Sequence, residues 1–203
     1  MANRLPKYEP LFRETANEFG VDWHLLAAVA YQESHWNPKA KSPTGVRGLM
    51  MLTLSTAKEM NVENRLDAAQ SLKGGAAYLL KLKARLPQRI LDPDRTLFAL
   101  AAYNVGFGHL EDARVLTVRA GKNPDHWEDV RAHLPLLSKK EFYSTVKYGY
   151  ARGGEPVLYV DNIQYYKTYL QLYSLSRQDP VLDNEYEVDA AAPVDWDNAL
   201  PSL

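Results

Sequence analysis

No cysteine occurs among the 203 residues. Disulfides, thiolate catalysis and cysteine-based zinc sites are therefore excluded, although that absence fixes no compartment. Long apolar runs are missing too, and none approaches the roughly 20 residues that a bilayer-spanning helix needs. Charge of one sign does not accumulate: 24 Lys and Arg stand against 25 Asp and Glu, a formal net charge of -1. A chain so balanced has no general attraction to nucleic acid or anionic lipid. The histidines, His24, His35, His109, His126 and His133, show no metal-ligand spacing. Asp92-Pro-Asp94 lacks the glycine and terminal glutamate of a calcium loop. Gly106-Phe-Gly108 follows a helical pattern rather than a strand, so it is no dinucleotide fingerprint. No nucleophile elbow or Walker loop is present. Neither a metal nor a cofactor is expected.

What is there reads as folded and almost wholly helical. Hydrophobic residues make up 46% and charged residues 24%, a globular composition. The length suits one domain, or a domain with a tail. Apolar positions Tyr8, Leu11, Phe12, Ala16 and Phe19 predict a helix over 8–19 with Gly20 as its C-cap. A second runs from Trp23, after the N-cap Asp22, and is stopped by Asn37-Pro38. Residues 39–53 mix turn formers with apolar ones, as a structured loop or short hairpin would. Further helices are expected over 55–60, from a capping box at Asp67–Gln70 to about Leu86, and over 94–103, too apolar all round for a surface. Asn104–Gly108 breaks that helix; others follow over 109–120 and 125–133. A second capping box, Ser138–Glu141, opens a helix through Tyr148. After a loop over 149–156, a last helix over 158–175 sets Tyr159, Ile163, Tyr166 and Leu170 on one face. Residues 1–177 are thus expected to be the domain. Residues 178–203, with seven acids and no Lys or Arg, are expected to be a disordered acidic tail.

The chain is organised around Glu33. On a helix it shares a face with Leu26, Val29 and Ala30, and none of Val29, Ala30, Trp36 and Asn37 is basic. Burial without a local cation, and the C-terminal end of the helix dipole, both push its pKa upward, which suits a general acid. With thiol, metal and histidine chemistry set aside, carboxylate, amide and tyrosine remain, as at sugar-binding sites. The 13 Tyr and 4 Trp fit ring stacking, with most of them expected in the core.

Four segments in order resemble the lytic transglycosylases of the soluble-lytic-transglycosylase family. They are Glu33-Ser34 with Asn37-Pro38-Lys-Ala40 and Ser42-Pro-Thr-Gly45; Gly48-Leu49-Met50; Ala102-Tyr103-Asn104-Val105-Gly106; and Glu155-Pro-Val-Leu-Tyr159-Val160. The resemblance covers about residues 8–175 and implies an all-α, lysozyme-like domain, of the goose-type lysozyme kind, with a deep cleft. It implies that Glu33 is the single acid and base. Ser42 would lie beside the scissile sugar, Tyr103 and Asn104 would line the catalytic face, and Glu155 and Tyr159 would close the cleft from the C-terminal side. Met51 stands where the family usually has Gln, and Val105 where it usually has Ala. The first change removes a polar contact to sugar and leaves Met51 as core packing or as cleft wall.

The implied substrate is the peptidoglycan glycan strand, cleaved between N-acetylmuramic acid and N-acetylglucosamine with formation of 1,6-anhydromuramic ends. The rivals are a goose-type hydrolase delivering water and a catalytically quiet peptidoglycan-binding module. Gly-Leu-Met-Met-Leu-Thr and Tyr-Ala-Arg-Gly-Gly-Glu-Pro resemble a membrane-bound branch of the family. There such a domain follows a periplasmic solute-binding-like module and a lipid anchor. The opening Met-Ala-Asn-Arg-Leu-Pro is unlike a signal peptide, so an excised, monomeric domain is expected. A periplasmic location tethered to the outer membrane, and a regulatory domain absent here, are expected of the full-length protein.

Overall fold

The structure, a computed structural model, describes residues 4–177, so the acidic segment 178–203 lies outside the described residues. Chain contacts divide it into two units, Met1–Lys167 and Thr168–Leu203. The helices are α1 (Leu5–Phe19), α2 (Trp23–Ser34), α3 (Leu54–Glu59), α4 (Ala68–Arg85), α5 (Asp94–Val105), α6 (Phe107–Arg119), α7 (Trp127–His133), α8 (Lys140–Tyr143) and α9 (Glu155–Ser176), with a 3-10 turn at Leu134–Ser138. Two isolated bridges, Lys41 with Arg47 and Arg47 with Leu52, are the only strand-like pairing among the described residues.

The core of the first unit is built on α2 and α5. Every residue from Leu25 to Tyr31 is buried, and so is every residue from Phe98 to Ala102. Such helices are stable only inside others, and α1 and α4 pack against α2 while α4, α6 and α7 pack against α5. Asp22 caps α2 by accepting the His24 N–H, and Gly20 closes α1 in the left-handed conformation, both as the sequence predicts. The stop of α2 comes earlier than Asn37-Pro38. His35 and Trp36 both turn left-handed, and the Trp36 indole donates back to the Ala27 carbonyl at 2.8 Å.

Three expectations are corrected. Asp67 does cap α4 through the Gln70 N–H, but the Gln70 side chain accepts from Glu63 and Asn64 instead of completing the box. Asn104 and Val105 stay helical, and only Gly106, at φ 90° and ψ 143°, separates α5 from α6. The helix expected over 138–148 shrinks to the four residues of α8. Ser138 donates to Pro135 rather than capping forward, and the N–H groups of Lys147, Tyr148 and Gly149 go to the buried Asp112 carboxylate of α6. A helix over those residues would leave Asp112 without donors.

The last helix begins at Glu155, earlier than its apolar pattern indicates, and Tyr159, Val160, Ile163 and Tyr166 are buried. Tyr159 meets Glu33, Tyr166 meets Tyr31 edge-on at 4.8 Å, and Lys167 pairs with Asp22 at 3.4 Å. Contacts descend α2 as they climb α9, so the two run antiparallel.

Candidate active site

Glu33 is placed by the last turn of α2, directly before the left-handed reversal at His35 and Trp36. The side chain is only partly accessible. Burial raises its pKa from 4.5 to about 7, against a smaller downward pull from a hydrogen bond with Tyr159. No charged side chain is among the causes. Tyr159 Oη donates to Glu33 Oε1 at 2.6 Å, a contact spanning 126 residues of sequence. Burial and the neighbouring Glu33 push the Tyr159 hydroxyl well above the usual phenol range, so it stays protonated and able to donate.

Tyr103 joins the same cluster. Its hydroxyl donates to the Met50 carbonyl at 3.0 Å, and burial together with Glu33 raises its pKa. Tyr78 of α4 stands edge-on to the Tyr103 ring at 5.4 Å. Asn104, next along α5, is exposed.

The loop between α2 and α3 meets this cluster through its backbone carbonyls. Ser34 Oγ donates to the Leu49 carbonyl at 2.8 Å and thereby ties the loop to the end of α2. Gly48 has φ 89°, and a Cβ there would stand 1.7 Å from the Arg65 carbonyl oxygen. Only glycine permits that approach. Leu49 and Met50 are fully buried, with the Met50 side chain against Gly75 of α4. Met51, half-buried, turns left-handed at φ 44° and bonds its N–H to the Gly48 carbonyl. Ser42 lies in the hairpin turn, where its hydroxyl meets Thr44 at 2.8 Å and accepts from the Val46 N–H at 3.3 Å. Glu155 is exposed at the start of α9 and pairs with Arg152 at 3.1 Å.

The structure thus brings Glu33, Tyr103 and Tyr159 together. Asn104 adjoins them along α5, and Met51 and Ser42 belong to the loop they rest on. The described hydrogen bonds do not tie Glu155 to the cluster. Sequence reasoning missed two contributors. Ser34 belongs to the Glu33-Ser34 motif but carries no role from the sequence alone, whereas nothing in the local pattern of α4 sets Tyr78 apart. Among the described residues no three His, Cys, Asp or Glu side chains gather as a metal site. A surface hollow of about 570 Å³ beside α6, lined by Arg89, Glu111, Arg114, Val115 and neighbours, contains none of these residues. Among the described residues no helix is long and apolar enough to cross a membrane.

One buried carboxyl near neutrality, held by a protonated tyrosine, can give a proton and later take one back. Comparison with known proteins places the chain among its relatives. Membrane-bound lytic murein transglycosylase F of Marinobacter nauticus is 62% identical over 164 residues, covering 81% of this chain and 33% of the relative. The protein of the same name from Saccharophagus degradans is 58% identical over 178 residues, 88% of this chain and 36% of the relative. The chain therefore spans about a third of the length of these curated relatives. Among solved structures, the 70 kDa soluble lytic transglycosylase Slt70 of Escherichia coli superposes with a TM-score of 0.58 at 25% identity, over 82% of this chain and 24% of that one. An inactive mutant of the lytic transglycosylase Slt from Pseudomonas aeruginosa gives a TM-score of 0.58 at 19% identity, with the same coverage of 82% and 24%. The all-α, lysozyme-like fold expected from the sequence is the fold found. The Transglycosylase SLT domain family matches residues 10–125, more than half of the sequence, and the chain belongs to that family.

Proposed function

We propose that this chain cleaves the β-1,4 bond between N-acetylmuramic acid and N-acetylglucosamine in peptidoglycan and closes the muramic end into a 1,6-anhydro ring. The observation that carries this reading is Glu33, with a pKa of about 7 and a tyrosine donor on Oε1. Ordinary glycosidases divide the work between two carboxylates, and substrate-assisted enzymes let the sugar replace one. Glu33 donates its proton to the glycosidic oxygen, the C1–O bond breaks, and the N-acetylglucosamine portion leaves as an alcohol. The acetamido carbonyl stabilises the positive C1. Ionised Glu33 then takes the C6 hydroxyl proton as O6 bonds to C1, so the residue returns to its starting state and no water is consumed. Intramolecular attack has a large effective molarity over bulk water. Tyr159 fixes the carboxyl, Tyr103 and Asn104 line the reacting face, and Ser42, Met51 and Glu155 border the bound strand.

The relatives' names support peptidoglycan as substrate and a membrane-bound full-length protein. We place that protein in the periplasm, tethered to the outer membrane, with a regulatory solute-binding-like domain in the length this chain does not cover. We take the protein to act as a monomer.

Purified peptidoglycan tests the chemistry. Released muropeptides should be one water lighter than hydrolysis products. Reducing-end sugars alone would assign a goose-type hydrolase, and no release would leave a binding module. Glu33→Gln should lower kcat by about a thousand-fold.

A further inference from the structure

Charge is distributed unevenly around Glu33. Residues 34–58 contain no Asp or Glu but four cations, Lys39, Lys41, Arg47 and Lys58. Lys39, Lys41 and Arg47 are exposed on the loop between α2 and α3, and the described ion pairs include none of them. Arg65, which lies against this loop, gives its guanidinium to the Gly45 and Leu52 carbonyls, so it brings a fourth charge without a carboxylate.

Two of these cations are held side by side. Lys41 and Arg47 form an antiparallel bridge, flanked by Ser42 N–H to Val46 O at 3.1 Å and Gly48 N–H to Ala40 O at 3.0 Å. That pattern makes them a non-hydrogen-bonded pair, the kind whose side chains approach most closely. Like charges directly opposite destabilise a pairing. The pairing sets two exposed cations beside each other on one face of the loop, where a single anionic group could meet both. The same loop is fastened at its other end to the acid's own helix, through Ser34 and the Leu49 carbonyl, and to Tyr103 through the Met50 carbonyl. A ligand on Lys41 and Arg47 thus sits on the loop that is hydrogen-bonded to the helix of Glu33 and to Tyr103.

We propose that Lys41 and Arg47, with Lys39 beside them, bind the free carboxylates of the acidic peptide that branches from the glycan strand. The assignment rests on the peptidoglycan reading above and adds what that reading lacks: recognition of the peptide branch as well as the sugar backbone. Exposed charge pairs act mainly on capture, so the effect belongs in KM and in salt sensitivity rather than in kcat.

The test compares glycan strands bearing their peptides with the same strands stripped by an amidase, using the native protein and the double variant Lys41→Gln/Arg47→Gln. The variant should raise KM about five-fold on peptide-bearing strands, leave KM on stripped strands little changed, and melt no lower than the native protein. Equal changes on both substrates, or none on the peptide-bearing one, would overturn the proposal. A fall in KM on both would overturn it as well, because the cations would then be holding an acidic stretch of the chain itself. Calorimetric titration with soluble fragments of both kinds separates this from the reading it rests on. Selective binding of the peptide-bearing fragment, lost in the variant, sustains the cation site even if no strand is cleaved; equal binding of both rejects it.

Discussion

A hydroxyl that donates to a carboxylate stabilises the charged form, whereas the protein packed around the same carboxylate stabilises the neutral one. Glu33 experiences both, and burial prevails, leaving the acid near pH 7. Tyr159→Phe removes the opposing hydrogen bond. The alkaline limb of kcat/KM, where Glu33 loses its proton, should then move upward by roughly one pH unit. A pH-rate profile checks this, and a merely structural role would depress the rate without moving the limb. The acid itself was legible in the sequence, because helical periodicity put Glu33 among Leu26, Val29 and Ala30. Its partner was legible only as a motif member. A bond across 126 residues leaves no trace in local spacing, and the same holds for Tyr78 against Tyr103.

Among the elements, the loop between α2 and α3 depends most on a single backbone position. Gly48→Ala would place a methyl on the Arg65 carbonyl in a left-handed conformation, and the loop would have to shift. We expect a loss of about 3 kcal/mol in urea unfolding. Activity should fall further than stability explains, because the Met50 carbonyl that receives Tyr103 moves with the loop. Most helix starts were readable where one side chain decides them, as at Asp22 and Asp67. The segment 138–148 was misread because Ser138 and Glu141 imitate a capping box. What decides that segment is Asp112, on another helix, collecting the N–H groups of Lys147 and Tyr148 at its end and of Gly149 just beyond.

At the scale of the whole molecule, the acid exacts a cost in stability. Below about pH 4.5 Glu33 is neutral in both the folded and unfolded chain; between 4.5 and about 7 only the folded chain keeps the proton. The folded state then binds more protons, so stability falls as pH rises through that window and stays lower above it. Allowing for the part of Glu33 that solvent reaches, the cost is about 2 kcal/mol. Glu33→Gln should therefore be more stable than the native protein by about that amount at pH 8 and equal to it near pH 4. Paired urea melts at the two pH values measure the difference.

The family match ends at residue 125, yet the hydroxyl that steadies the acid comes from α9. The cluster around Glu33 is therefore completed by a helix that follows the family-matched stretch in the chain. A nascent chain that had already formed α1 to α7 would carry the acid but not its tyrosine. Until α9 is made and packed, Glu33 has no hydroxyl on its Oε1, so a fragment ending before α9 should lack the cluster.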